Sequence, residues 1–314
     1  MTAAVLLPAL FAAAHGAAHG DAGTACACPT PGTVLADRDD ATVVRHGGTV
    51  AKAHAPGTDP AALSLRLATA ARLPGTLLAP LRPAPVDLHG RLVTFWPHGS
   101  PVDPDVPQAA PWEAAAALLA RLHTAPAPAG LPPMRGPAKA ARAIRRLREA
   151  GPHPAAEPVL RAWTALPAWA RDEAPMPPGG TLCHGDLHLG QLVRRPAGTG
   201  PWLLIDVDDL GVGDPVWDLA RPAAWYACGL LPPEEWSRFL TAYRQAGGPA
   251  VPPAGDPWPV LDVPARALTV QTAARAIAKS VAAGRSLDEV ERAVVDACVR
   301  MVIIPPGLAR GSTA

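Results

Sequence analysis

The sequence lacks the features that mark several classes of protein. Its 28 lysines and arginines nearly balance its 27 aspartates and glutamates, so the formal net charge is only +1 and no basic patch stands out. Because nucleic-acid binders usually carry a basic excess, we expect no nucleic-acid partner. The five cysteines show no paired CxxC spacing, which argues against a disulfide framework or a cysteine-based zinc site and fits a reducing cytoplasm.

The N-terminal stretch MTAAVLLPALFAAAHGAAHG lacks two features of targeting and membrane segments. It has no lysine or arginine in its first residues, where a secretory signal normally carries positive charge, and its apolar run is too short to span a bilayer. We therefore expect residues 1–30 to be an N-terminal extension, either a packing helix or a loose tail. The protein is expected to be cytoplasmic and without a membrane partner, export being the alternative.

Lysine itself is scarce, since Lys52, Lys139 and Lys279 are the only lysines among the 28 basic residues. Lys52 lies in the apolar run TVAKA. A chain that prefers arginine but keeps a lysine inside an apolar strand has a use for an ammonium group there, because the two side chains differ in shape and hydration. We predict a functional role for Lys52, the alternative being a solvated lysine on an edge strand.

The residues that are present predict an α+β fold with two lobes. A chain of 314 residues that is 49% hydrophobic can fill two packed lobes, and its 40 prolines and 28 glycines are scattered between apolar segments as connections. The pattern predicts a β-rich N-lobe over residues 31–97 and a mainly helical C-lobe over residues 98–314.

In the N-lobe, the run DATVVRHGGTVAKAHAP predicts two strands joined by a tight turn at Gly47-Gly48. A helix capped by Asp59 is predicted over residues 60–72. Further strands are predicted at Thr76–Leu81 and Gly90–Trp96.

The C-lobe pattern predicts a series of helices, at 112–124, 137–149, 158–171, Val216–Leu230, 233–246, 264–283 and 287–301. We interpret His123 as a packed core histidine and the charges of helix 137–149 as a solvated face.

The stretch Cys183–Arg221 is the most informative part of the chain. Two apolar runs, Gln191–Val193 and Trp202–Val207, flank the breaker segment PAGTGP and predict a β-hairpin. Folding this hairpin brings Gln191 and Asp206 side by side, with Asp186 just before them and Asp208 just after. Carboxylate and amide oxygens are the ligands that Mg²⁺ prefers when it holds phosphates.

These residue types fit phosphoryl transfer, which depends on positioning and charge neutralisation. We predict that Asp186 orients an acceptor hydroxyl and takes its proton. Asp206, with Asp208 and Gln191, is predicted to bind Mg²⁺ on the phosphates of a nucleotide. Lys52 is predicted to pair with the α- and β-phosphates, the nucleotide lying between the lobes.

The predicted strand Gly90–Trp96 carries the predicted adenine site. Thr94, Phe95 and Trp96 end this strand before a Pro-Gly break, and we expect adenine to lie against them and the segment that follows.

The order of the motifs resembles the aminoglycoside phosphotransferase and choline kinase group of small-molecule kinases. HGDLHLGQ, ending at Gln191, resembles the HGDxxxxN loop of that group, and Ile205–Asp208 resembles its IDxE segment. The later run GDPVWDLA and the earlier run LLARLH are also similar to the family's pattern. The resemblance covers roughly residues 40 to 225.

The resemblance implies a bilobal protein-kinase-like fold, ATP and Mg²⁺ as cofactors, and transfer to a hydroxyl of a small molecule. It implies Asp186 as base, Asp206 as the main metal ligand and Lys52 as the phosphate lysine. It also implies that Asp218 supports the catalytic loop from beneath and that His184 packs within this loop.

The sequence departs from the family pattern at three points. Gln191 replaces the usual asparagine. The loop HGDLHLGQ that it ends resembles the corresponding loop of maltokinase-like sugar kinases. No glutamate lies between Lys52 and Trp112 to pair with the lysine, and residues 30–48 contain no GxGxxG loop.

Two alternatives to an active kinase use the same motifs. A catalytically degenerate kinase fold that binds nucleotide stays open, although the presence of Asp186, Asp206 and Lys52 together disfavours it. A binuclear metallophosphoesterase is excluded because no histidine follows His188 to supply the further metal ligands. The acceptor is left open between an aminoglycoside-like antibiotic, a sugar and an amino alcohol.

Overall fold

The computed structural model describes residues 3–20, 32–38 and 40–303. The helices in chain order are α1 Ala3–His19, α2 Pro60–Arg72, α3 Trp112–Thr124, α4 Gly136–Glu149, α5 Ala156–Thr164, α6 Val216–Ala227, α7 Pro233–Gln245, α8 Trp258–Ala283 and α9 Glu289–Ile303. The strands are β1 Thr33–Arg38, β2 Ala41–His46, β3 Thr49–Ala53, β4 Val86–Leu88, β5 Arg91–Pro97, β6 Ser100–Pro101, β7 Thr181–Cys183, β8 Leu192–Arg194, β9 Trp202–Leu204 and β10 Gly211–Gly213.

The chain divides into two compact units. The first comprises residues 1–110, 128–132 and 190–208, and the second comprises residues 111–127, 133–189 and 209–314. The first unit contains the larger sheet and the β8–β9 hairpin, and the second is mainly helical, as the α+β pattern predicts. The sequence-based division into residues 1–30, 31–97 and 98–314 stays a prediction.

The first unit is built on an antiparallel five-stranded sheet with the order β1-β2-β3-β5-β4. The predicted tight turn at Gly47-Gly48 joins β2 to β3, because His46 pairs with Thr49 across it and Gly47 has a φ of 56°. Side chains alternate along β3, so Ala51 and Ala53 are buried on one face and Lys52 lies on the other.

Helix α1 covers the buried face of this sheet. Leu6, Leu10 and Ala14 recur every four residues and form one apolar stripe. The stripe packs with Ala51 and Phe95 of the sheet in a single hydrophobic cluster. Of the two alternatives for the N-terminal extension, residues 3–19 therefore adopt the packing helix, and residues 21–30 lie outside the described part.

The predicted hairpin is confirmed over β8 and β9, which pair antiparallel with Leu192 opposite Leu204. Strand β6 adds to the other edge of β8. The backbone amide of Ile205 donates to the carbonyl of Gln191 at 2.9 Å, so the hairpin brings the Gln191 backbone beside the Asp206 region as predicted.

The second unit packs its helices mainly around α8, which contacts α4, α5, α6 and α9. The short antiparallel pair β7–β10 carries the chain into the loop at residues 184–189. Helix α3 packs against α7 and β7, and its His123 is buried as predicted.

Three sequence-based predictions of secondary structure were wrong in extent. Thr76–Leu81 is not a regular strand, because it forms a single bridge, from Leu77 to Leu204. In this bridge the Leu78 amide donates to the Leu204 carbonyl, and the Leu204 amide donates to the Thr76 carbonyl. The predicted helix over 158–171 is interrupted at Pro167, leaving α5 and a short 3₁₀ helix at Ala168–Arg171. Helix α8 begins at Trp258 and accommodates Pro264 in its interior, so it is six residues longer at its start than predicted.

Cys183, Cys228 and Cys298 are free, buried thiols, and Cys26 and Cys28 lie outside the described residues. Burial raises the pKa of Cys183 and of Cys298, the latter to about 12, so both remain protonated at neutral pH. Among the helices that the structure describes, none combines the length and apolarity needed to cross a bilayer.

Candidate active site

Lys52 is held between two carboxylates in the first unit. Its ammonium Nζ lies 2.7 Å from Asp206 Oδ1 and 2.9 Å from Asp208 Oδ2, and the lysine side chain is only 12% exposed. Burial lowers the pKa of Lys52, but the charges and hydrogen bonds of the two carboxylates outweigh burial and raise this pKa above its usual value. The alternative of a solvated lysine on an edge strand is therefore wrong, and the functional role of Lys52 stays a prediction.

A buried histidine supports Asp208 from the other side. His54 Nδ1 lies 2.8 Å from Asp208 Oδ1, and His54 Nε2 lies 2.8 Å from Thr94 Oγ1. The indole of Trp96 donates to the same Thr94 hydroxyl at 2.8 Å. Burial raises the pKa of Asp208, but Lys52 and His54 outweigh burial and hold this pKa below its usual value. Lys52 is thus connected through Asp208 and His54 to strand β5.

Asp206 adopts an unusual backbone conformation, with a φ of 67°. Positive φ in a residue other than glycine stores strain and is found most often at functional sites. Its Oδ1 accepts from Lys52 and also from the backbone amide of Asp208, at 3.2 Å. The strained backbone places two carboxylates, two residues apart, on one ammonium.

The predicted adenine strand presents its residues on opposite faces. Lys52 pairs with Thr94 in the β3–β5 register, so Thr94 and Trp96 share the face of the lysine. Phe95 lies on the other face, and its ring is in the core packed against α1. The prediction that the Phe95 side chain contacts a nucleotide loses its basis, because a ring in the core presents no surface to a ligand.

Gln191, the third predicted oxygen donor, closes a short 3₁₀ helix directly before β8 and is 8% exposed. Its amide oxygen is a hard donor that suits Mg²⁺, as are the carboxylates of Asp206 and Asp208. These three residues belong to the same unit and fit a magnesium site by the chemistry of their atoms.

Asp186 lies in the second unit, on a loop braced by a buried carboxylate. Asp218, 1% exposed, accepts from the backbone amides of His184 at 2.6 Å and Gly185 at 2.7 Å. Asp218 also lies 3.0 Å from Nε2 of His123, whose Nδ1 lies 2.8 Å from the Tyr243 hydroxyl. The supporting role that the resemblance implied for Asp218 is therefore seen directly.

The glycine of the HGD sequence is required by this loop. Gly185 has a φ of 81°, which L side chains rarely adopt. A Cβ at this position would also collide with the backbone carbonyl of Asp209. The tight loop geometry thus accounts for a glycine directly before the predicted catalytic aspartate.

Two cations contact the carboxylate of Asp186. Lys139 Nζ lies 3.0 Å and Arg221 lies 2.8 Å from its Oδ1. Burial raises the pKa of Asp186, but the charges of Lys139 and Arg221 outweigh burial and hold this pKa below its usual value. Asp186 is therefore ionised at neutral pH.

A small pocket opens beside Asp186 within the second unit. Its lining combines the carboxylate and two cations with apolar and amide side chains, among them Trp217, Leu268 and Gln271. Its volume of about 20 Å³ has room for about one water molecule.

Sequence reasoning missed three residues of these two clusters. Lys139 was assigned to a solvated face, which is wrong, because its ammonium contacts Asp186 and, at 2.8 Å, Asp209. No motif or spacing in the sequence points to Arg221 or His54. Lysine scarcity was a usable signal for Lys139, since the same argument that selected Lys52 applied to it.

The fold is that of small-molecule phosphotransferases with a protein-kinase-like architecture, as similar solved structures show. A choline/ethanolamine kinase family protein from Mesorhizobium loti aligns with a TM-score of 0.55 and 17% identity over 91% of this chain and 92% of that one. A thermostable mutant of the aminoglycoside phosphotransferase APH(4)-Ia, in ternary complex with AMP-PNP and hygromycin B, aligns at 0.55 and 15% over 88% and 95%. Choline kinase from Cryptosporidium parvum Iowa II aligns at 0.54 and 11% over 86% and 88%.

The sequence itself places the chain more narrowly. The model of the phosphotransferase enzyme family matches residues 40–258, and the chain belongs to this family. It is accordingly a small-molecule phosphotransferase, as its motifs predict. None of the curated proteins compared with the chain matches it.

Proposed function

We propose that the protein transfers the γ-phosphate of ATP to a hydroxyl group of a small molecule, with Asp186 as the catalytic base. The observation that carries the proposal is the position of Asp186, an ionised carboxylate on a loop braced by Asp218, beside a small pocket lined by polar and apolar side chains. A solved structure of the APH(4)-Ia mutant holds AMP-PNP and hygromycin B, which supports a nucleotide donor and a hydroxylated acceptor in this family.

In the proposed reaction the acceptor hydroxyl donates a hydrogen bond to Asp186. The hydroxyl oxygen attacks the γ-phosphorus, the bond between this phosphorus and the β–γ bridging oxygen breaks, and the hydroxyl proton passes to the carboxylate. Because the transition state of phosphoryl transfer is loose, orientation of the hydroxyl matters more than a strongly basic carboxylate. The lowered pKa of Asp186 fits this role, since the group is ionised and able to accept a hydrogen bond throughout the neutral range.

Lys52 is proposed to neutralise the α- and β-phosphates of the nucleotide. Asp206, Asp208 and Gln191 are proposed to hold Mg²⁺, which supplies charge neutralisation on the phosphates when it is bound. The contacts of Lys52 with both aspartates support this assignment, because they show that the two carboxylates accommodate a cation between them. Thr94 and Trp96, which share the face of the sheet with Lys52, are proposed to lie along the nucleotide.

The location of the protein in the cytoplasm stays a prediction.

We further propose that the acceptor is neutral or anionic. Asp186 is accompanied by Lys139 and Arg221, and Arg135 contacts Asp209 beside them at 2.6 Å, so three cations face two carboxylates in this cluster. A polycation would have to displace these groups, whereas a sugar or a hydroxy acid would gain hydrogen bonds from them. Among the acceptors that the motifs left open, a sugar therefore fits better than an aminoglycoside or an amino alcohol.

The test is release of ADP from ATP and Mg²⁺ with acceptors from three charge classes. Glucose and maltose represent neutral acceptors, gluconate an anionic one, and choline and kanamycin cationic ones. We expect kcat/KM for the best neutral or anionic acceptor to exceed that for either cation by at least about tenfold, the equivalent of roughly 1.4 kcal/mol.

The possible outcomes separate the parts of the proposal. Preferred turnover of kanamycin or choline would contradict the acceptor charge but leave phosphotransfer standing. ATP binding without ADP release for any acceptor would favour the catalytically degenerate alternative.

A further inference from the structure

Three histidines form a cluster in the first unit, on the α1 side of the β2–β3 hairpin. His15 and His19 are four residues apart on α1 and so lie on one face of the helix. His46 ends β2, just before the turn into the strand that carries Lys52. None of these residues belongs to the proposed phosphotransfer machinery.

The ring nitrogens of the three side chains are close enough to share one ion. His19 Nε2 lies 3.2 Å from His46 Nε2, and one ligand nitrogen of each histidine lies within 4.8 Å of those of the other two. The ring centroids are separated by 4.9, 4.9 and 5.3 Å. In a tetrahedral zinc site with Zn–N bonds of about 2.0–2.1 Å, neighbouring nitrogens are roughly 3.3 Å apart. The nitrogens of His19 and His46 already have this spacing, and a nitrogen of His15 lies within 4.8 Å of the ligand nitrogens of both.

The surroundings are also suitable for a metal ion. His15 and His46 are half-buried and His19 is exposed, so the cluster is rigidly backed by the helix and the hairpin yet open to solvent. Three imidazole nitrogens are a donor set for borderline ions such as Zn²⁺ and not for Mg²⁺, which prefers oxygen.

We propose that His15, His19 and His46 form a binding site for a divalent transition metal ion of the Zn²⁺ class, with a water or an external ligand in the fourth position. The ion would tie α1 to the hairpin whose second strand carries Lys52. The site is separate in sequence and in chemistry from the oxygen donors Asp206, Asp208 and Gln191.

The test is titration of the full chain, stripped with a chelator, with Zn²⁺ in a calorimeter. We expect one histidine-dependent equivalent, and at least a tenfold loss of association constant in each of His15→Asn, His19→Asn and His46→Asn. The matched control is His89→Asn, an exposed histidine in the β4–β5 turn with a φ of 53°, a conformation that asparagine tolerates. This control should bind Zn²⁺ as the wild type does, and Mg²⁺ should not compete.

Thermal unfolding supplies a second readout, because an ion that binds only the folded chain raises the melting temperature. Zn²⁺ should raise the Tm of the wild type and of the control but not that of the three cluster variants, whose folding is verified by far-UV circular dichroism. Equal Zn²⁺ affinity in the wild type and the cluster variants, or no bound Zn²⁺ at all, would overturn the proposal. The three histidines would then be a cluster of packed, hydrogen-bonded side chains that binds no metal ion.

Discussion

At the scale of single residues, the unusual feature is how Lys52 is held without a glutamate partner from a helix. Between Lys52 and Trp112 the sequence has no glutamate. The structure pairs the lysine instead with Asp206 and Asp208, and it supports Asp208 with the buried His54. We interpret His54 as a positioning residue that fixes Asp208 and, through it, the ammonium.

This interpretation predicts different effects for two substitutions of His54. His54→Leu removes the partner of Asp208, whereas His54→Asn retains an amide donor near the position of Nδ1. We expect His54→Leu to raise the KM for ATP about tenfold, equivalent to roughly 1.4 kcal/mol, with kcat changed much less, and His54→Asn to restore most of the loss. Steady-state ADP release measures both constants; equal KM values for the two variants would show that the link through Asp208 is not needed.

At the scale of elements, the loop that carries Asp186 depends on a carboxylate from α6. Asp218 accepts from two backbone amides of the loop and lies within hydrogen-bonding distance of His123 on α3. Only a group that accepts at both oxygens satisfies this arrangement, because all the surrounding groups donate. The loop and two helices are thus joined at one buried side chain.

We predict that Asp218→Asn destabilises the fold and changes its pH dependence. The amide turns an N–H group towards donors, which costs about 1–3 kcal/mol for each buried donor left without an acceptor. Burial raises the pKa of Asp218, but the His123 hydrogen bond, nearby histidines and the Gly185 amide hold it below its usual value. Its stabilising contribution is therefore complete above the unfolded pKa of about 3.9 and is lost as the pH falls below that value.

Denaturant unfolding between pH 3 and pH 7 measures this effect. The free energy of unfolding of the wild type should fall more steeply below about pH 4 than that of Asp218→Asn. Asp262→Asn, which removes a half-buried carboxylate paired with Arg266, is the control and should behave like the wild type. Parallel curves for the wild type and Asp218→Asn would contradict the account.

Elements with strong local signals were predictable from the sequence. The cap of α2 is an example, since Asp59 accepts from the amides of Ala61 and Ala62 as its position implied. The β8–β9 hairpin follows from its breaker segment in the same way. Thr76–Leu81 has the apolar pattern of a strand, but only Leu77 bridges β9. Helix α8 continues through Pro264, the residue at which its predicted start lies.

At the scale of the whole molecule, the sequence predicted the family and the main candidate site residues, but it did not predict all of the side chains that contact them. The HGD, ID and DLA motifs are short stretches of sequence, and each of them predicts one of the three aspartates, Asp186, Asp206 and Asp218. The contacts of Lys139 and Arg221 with Asp186 join residues 47 and 35 positions away, and no spacing rule reports such a contact. The same holds for His54, whose partners Thr94 and Asp208 are distant in the chain.

The central claim is that Asp186 carries the chemistry and does not serve nucleotide binding. It is tested most directly by comparing the wild type with Asp186→Asn in ADP release and in ATP affinity with Mg²⁺, with Asp262→Asn as the control. We predict that Asp186→Asn lowers kcat by at least about 10²-fold, because the amide cannot accept the hydroxyl proton, while the Kd for ATP changes by less than about threefold. An Asp186→Asn variant that turns over its acceptor at the wild-type rate would contradict the account.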